Sequence, residues 1–339
     1  MKQPKRLAWI DYVKVFAIFF VVLVHVDCSP LCTKVLKAFL MPLFFILSGY
    51  LFSYERNPKY KPFALKRFRQ IIIPYAWISA VTYLLWFFVL RKFGNNPNDA
   101  VAWYVPVAGT FAGMPPLLVH DIPLWSLVSF FVVEMIYYPL RKCLKSDIGI
   151  AAIAFLTAWG ISSLLPDISP YLPFALAPSI AGLGFYALGR LLRTRATHTG
   201  LGNAKSNLVA LAALIAFVIS LKYNVASSFY KGLYGIFPLY LISAVSGAWL
   251  MIWFSKAVSA GKSEPGLIRF ISTGTLLVCG FHLITLALIK GVMLFGFGIP
   301  PAELTDGVLR GTAVALVAMA LTFPIIYVVR RYARFLVDK

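Results

Sequence analysis

Cysteine and acidic residues are scarce, with four Cys and twelve Asp plus Glu in a chain of 339 residues. So few thiols exclude a disulfide scaffold. Cys28 and Cys32 would pair if they face an oxidising compartment and otherwise stand as two thiols. No Walker, dinucleotide-binding or zinc-binding spacing occurs, so nothing points to a resident metal or a nucleotide fold. An internal repeat, a low-complexity linker and a separate soluble segment are also missing. Residues 1–339 therefore read as one integral domain.

What the chain has instead is hydrocarbon. Sixty per cent of its residues are hydrophobic and 13% charged, with a mean hydropathy of +0.81, far from the make-up of a soluble domain. Apolar runs of spanning length predict an all-α polytopic membrane bundle of about ten transmembrane helices, at about 8–27, 35–53, 71–90, 123–140, 148–165, 174–191, 207–222, 234–255, 271–289 and 308–329. The first run is too long for a signal-peptide core and lacks a small-residue cleavage site, so it is expected to remain as a helix. Between about 91 and 122, Pro and Gly interrupt a further apolar stretch, which reads as a partly embedded loop.

A net charge of +20 would suggest nucleic acid in a soluble protein. Here the cations fall in short clusters between apolar runs, which is how topology is encoded, and no basic domain exists to bind nucleic acid. With the N-terminus in the cytoplasm, 23 Lys and Arg fall on the inner side and eight on the outer. That asymmetry predicts a multi-pass protein of the inner, cytoplasmic membrane with both termini cytoplasmic.

Ionisable groups inside the apolar runs then need a reason. Asp11, Lys14 and His25 share the first run, Glu134 lies in the fourth and His282 in the ninth. Lys14 and His25 are eleven residues apart; at about 100° per residue they lie on nearly one helix face, separated by about 16 Å of rise. Asp11 sits three residues before Lys14, where it can neutralise the ammonium. A charge at the centre of a span costs roughly 2.5–3.5 kcal/mol, so such groups face a protein interior or a wet cavity. Lys14 can also snorkel to the interface, and a lone His can serve only as a core hydrogen-bonding residue. Two histidines in one membrane interior point instead to proton handling. Glu134 either orients one of them or pairs with a basic group. The segment before the third run carries Arg56, Lys59, Lys61, Lys66, Arg67 and Arg69. This cluster serves either as a topology signal or as a phosphate-recognition patch.

WIDYVKVFAIFFVVLVH resembles the first-helix pattern of membrane acyltransferase family 3, in which Asp is followed by a basic residue and then a His. FLMPLFFILSGYLF is similar to that family's second helix through Pro42, Phe44, Phe45, Ser48 and Gly49. FALKRFRQIIIPY, PLWSL and GFHLI resemble its later motifs, so the resemblance runs over about residues 7–330. Three departures are visible: Lys14 replaces the usual Arg, Gln70 sits where relatives often carry Arg, and Val278 and Cys279 replace the expected residues before His282.

The resemblance implies an O-acyltransferase that moves an acyl group, usually acetyl from cytoplasmic acetyl-CoA, to a hydroxyl of a cell-surface carbohydrate or its lipid-linked precursor. Carried onto this chain, His25 is the essential imidazole and candidate general base, acting directly or after an acyl relay, with His282 or Glu134 tuning or sharing the proton. Lys14, Arg67 and Arg69 would meet the acyl-CoA. A membrane transporter or flippase for a glycan or small anion is the rival reading, since it would use the same charges as a proton relay.

Overall fold

A computed structural model describes residues 7–27, 29–93, 100–195, 204–225, 227–261 and 265–336. Cys28 lies outside these residues, and with it the question of a pairing to Cys32. The described chain is helical without a named strand, its single β-contact being an isolated bridge between Ser228 and Leu233.

Nine helices among the described residues are long and apolar enough to cross a membrane. They are preceded by α1, the 17-residue apolar helix Ala8–Val24. In chain order the others are α2 (Pro30–Leu51), α3 (Tyr60–Leu90), α5 (Ile122–Leu144), α6 (Asp147–Leu164), α7 (Pro173–Thr194), α8 (Lys205–Tyr223), α9 (Phe237–Ser259), α10 (Gly266–Phe297) and α11 (Gly307–Tyr332). The short α4 (Tyr104–Ala112) lies within the interrupted stretch. Each expected span has its helix, but α3 and α10 overrun theirs, because apolar length tracks hydrocarbon thickness and not where a helix stops.

Close approach between helices in lipid needs small residues. α2 and α7 meet through a reciprocal pair of glycines. A Cβ on Gly49 would sit 1.9 Å from the Tyr186 carbonyl oxygen, and one on Gly189 would sit 1.9 Å from that of Ile46. α1 packs on α9 and α10, α7 packs also on α5 and α6, and α8 lies outermost against α9.

Two prolines shape the helices around the site. Pro74 cannot donate to the Gln70 carbonyl, and the turn before it widens to π geometry over Phe68–Ile72, with the Ile73 N–H reaching back to Phe68. Pro139 inside α5 likewise leaves the Met135 carbonyl unbonded within the helix, and the Tyr60 hydroxyl donates to it at 3.4 Å. The interrupted stretch is pinned to α3: Tyr75 donates to the Thr110 carbonyl at 2.7 Å, and Ser79 lies 2.9 Å from both Thr110 Oγ1 and His120 Nε2. Burial holds the His120 imidazole well below its ordinary 6.5, at about 4.

Candidate active site

Four helices each turn one stripe toward the middle of the bundle. On α1 the stripe is Lys14, Ile18, Val21 and His25; on α2 it is Met41, Phe44, Ser48 and Leu51. α5 contributes Leu127, Phe130 and Glu134, and α10 contributes Thr275 and Cys279. Residues three or four apart stack on one helix face, so these spacings place each set in line. The stripes enclose two cavities, of about 550 Å³ at a basic end and about 260 Å³ at a histidine end. Phe44, Leu127, Phe130, Thr275 and Leu276 line both, so the cavities abut across a mainly apolar wall.

At the histidine end, α1 stops at Val24 and His25 is its C-cap. The last carbonyls of a helix lack intrahelical partners, and the His25 side chain turns back so that Nδ1 lies 2.8 Å from the Val21 carbonyl. His282, fully buried on α10, places Nδ1 2.8 Å from the Cys279 carbonyl and 3.0 Å from that of Val278. Its Nε2 faces His25 Nδ1 at 3.4 Å. Carbonyl oxygens only accept, which fixes both tautomers when the rings are neutral. His282 carries its proton on Nδ1 and offers the Nε2 lone pair. His25 also carries its proton on Nδ1, directed to Val21 and His282, so its Nε2 holds the free lone pair of a ring that lines the cavity. The two ring centroids are 4.9 Å apart.

At the basic end, Lys14, Arg56, Lys66 and Arg67 line the larger cavity with Asn57, Gln70 and Glu134. Arg67 grips Glu134 with both arms of its fork: Nε donates to Oε2, and Nη2 donates to Oε1 at 2.6 Å. Its third nitrogen donates to Gln70 at 2.9 Å, and Ser48 donates to Glu134 at 3.4 Å. The carboxylate is only 4% exposed and the guanidinium side chain 27%. Asp11 accepts from Ser272 of α10, tying α1 to its neighbour.

Of the residues singled out from sequence, His25 and His282 are brought into contact although 257 positions separate them. Lys14 lines the larger cavity. Glu134 lies at the basic end in a pair with Arg67 and bonds to neither imidazole. Arg69 is exposed and is not among the cavity-lining residues. Two residues apart on a helix means roughly opposite faces, so Arg67 and Arg69 do not both line one pocket. Arg56 and Lys66 line it instead. Their positive charge was visible in the sequence, but nothing there separated them from the other cations of the cluster.

Stripes, lone-pair imidazole and cationic pocket together describe a polytopic helical protein with a proton-accepting group at one end and an anion-attracting chamber at the other. The family model of the acyltransferase domain matches residues 7–331, and the chain belongs to membrane acyltransferase family 3. An acyltransferase activity follows from that membership. Comparisons with curated proteins and with solved structures gave no match.

Proposed function

We propose that the protein is an O-acyltransferase that takes an acyl group, acetyl in the simplest case, from cytoplasmic acyl-CoA and passes it to a hydroxyl of a cell-surface carbohydrate or its lipid-linked precursor. The observation that carries this reading is the pair of abutting cavities, one lined by cations and the other by His25. The basic end would face the cytoplasm of the inner membrane, with both chain termini on that side, as the distribution of Lys and Arg favours.

A phosphate-bearing donor suits the larger cavity because four cationic side chains line it against one carboxylate, which is already held by Arg67. Arg56 and Lys66 would meet its phosphates, Lys14 would attract the donor deeper along α1, and Arg67 would shape the pocket wall through Glu134. Arg69, on the surface, would act only on the outermost part of the donor. The thioester would reach the apolar wall between the cavities and meet the acceptor beyond it, sheltered from water.

His25 then takes the proton of the acceptor hydroxyl on Nε2 as the alcohol oxygen attacks the thioester carbonyl. The C–S bond breaks, the ester C–O bond forms, and the proton passes from His25 to the departing thiolate. His282 holds the His25 ring and accepts its Nδ1–H, a bond that strengthens when His25 becomes charged.

The test uses purified full-length protein in lipid, radiolabelled acetyl-CoA and the host's surface-glycan precursors. Label moves to glycan in the wild type and not in a folded His25→Ala variant. Lys14→Arg retains transfer while Lys14→Ala loses it, and Arg56→Ala with Lys66→Ala weakens acetyl-CoA binding. Movement of unmodified glycan across the bilayer without acetyl-CoA, with no label transferred, overturns the proposal in favour of transport.

A further inference from the structure

The histidine-end cavity carries a charge that the proposed transfer does not use. Its walls are mostly apolar and aromatic, with Trp125, Phe229 and Phe130 among them, yet Lys37 of α2 lines it together with His25. Lys37 ends the first helical segment of α2, Pro30–Lys37, and is exposed. It forms no ion pair among the described residues. Asp27 is the other charge felt at the His25 ring, but it does not line the cavity. Lys34, three residues earlier in the same last turn, and Lys231, whose ammonium lies 5.7 Å from the Tyr230 ring centroid, strengthen the positive field at this mouth. Ser228 and Tyr230 line the same cavity.

We infer that the acceptor is an anionic sugar, bearing a carboxylate or a phosphate that Lys37 engages while the neighbouring hydroxyl is presented to Nε2 of His25. The inference rests on the acyl-transfer reading and narrows its acceptor class. The physical reason is a match of charge to charge at each end. Several cations line the chamber for a polyanionic donor, and one unpaired cation lines the chamber for the acceptor. Aromatic walls suit the C–H faces of a sugar ring, and an ammonium beside them bonds an ionised group more strongly than a neutral hydroxyl. With its anionic group anchored at the mouth, the ring has one edge left to offer the base, so the lysine also selects which hydroxyl is acylated.

Binding can be read without turnover. The full-length protein in nanodiscs is treated with diethyl pyrocarbonate, and modification of the His25 peptide is followed by mass spectrometry in the absence of acyl-CoA. The protecting probes are methyl glucuronide, glucose 6-phosphate and methyl glucoside. At least one anionic probe should protect at a concentration about fivefold lower than the neutral glucoside, the scale of an exposed charge pair. The stronger of the two anions identifies carboxylate or phosphate as the recognised group. Lys37→Met should remove the preference and Lys37→Arg should keep it, protection in each variant being normalised to the reaction of its own His25 with the reagent alone. Equal protection by all three probes, no protection by either anion, or a preference that persists in Lys37→Met overturns the inference. Because no acyl group is moved in this assay, a failure of transfer defeats the parent reading separately.

Discussion

The basic-end cavity is about twice the volume of its neighbour and is built around a closed ion pair, whereas the histidine-end cavity is apolar and built around a lone pair left open. In the first, Arg67, Glu134, Gln70 and Ser48 are bonded to one another, so these polar groups are spent on shape, and Lys14, Arg56 and Lys66 line the same cavity. In the second, two backbone carbonyls of α10 and one of α1 absorb the ring N–H groups, and a single nitrogen is left over for chemistry. Strong local pairing suits a place where a large charged molecule must be held. Weak local pairing suits a place where a proton must leave and return.

The sharpest way to break this contrast is at the imidazole pair. His282→Gln leaves His25 without its ring partner, and the loss of a hydrogen bond to a group that becomes charged, about 1.5–3 kcal/mol, corresponds to a roughly 10–100-fold fall in kcat. KM for acyl-CoA should stay within about twofold, since the chamber proposed for the donor is at the other end. Steady-state kinetics checks both numbers, and an equal change in the two constants would contradict the division of labour.

At the basic end, Glu134→Gln removes the counter-charge of Arg67. Thermal unfolding should show a loss of about 1.5–3 kcal/mol, smaller than for a fully buried pair because the guanidinium is partly exposed. Arg67→Met combined with Glu134→Gln should cost less than the sum of the two single changes. The glycine contact between α2 and α7 offers a third point of attack. Gly49→Ala drives a methyl into the Tyr186 carbonyl, and the α2–α7 contact should loosen at a cost of about 1–3 kcal/mol, read as a lowered unfolding midpoint.

Smaller effects sharpen the outline. His120, near the histidine end, stays neutral in the fold until the pH falls to about 4, whereas the unfolded chain protonates it near 6.5. Between those values the unfolded state binds more protons, so this residue's contribution is complete above about 6.5 and is lost as the pH falls toward 4. The unfolding midpoint of the wild type should therefore drop relative to His120→Gln over that window, and parallel curves would contradict it. Smallest of all, Arg69→Ala should change acyl-CoA affinity by less than about twofold, because an exposed charge outside the cavity contributes little.

Much of the framework was legible because lipid imposes it. A helix that crosses hydrocarbon must satisfy its own backbone groups and present about twenty apolar residues, so the spans announce themselves. That Lys14 and His25 share one helix face was equally legible, since helix period depends on nothing beyond the chain itself. The partner of that face was not. Glu134 could be assigned to an imidazole or to a cation from sequence, and only the packing of α5 beside α3 gave it to Arg67. The π turn before Pro74 was also hidden, because a proline predicts a disturbed helix without saying how the turn will be rebuilt.

By itself, then, the sequence determined a polytopic helical membrane protein of acyltransferase type, with ionisable groups lodged in its apolar runs, because hydrophobic length and helical period are local properties. Tertiary structure alone decided that His282 meets His25, that the fork of Arg67 is occupied, and that two chambers share one wall. Those outcomes depend on which helices approach closely enough to touch, and such approach joins segments far apart in the chain, as at the α2–α7 contact where Gly49 and Gly189 leave no room for a Cβ.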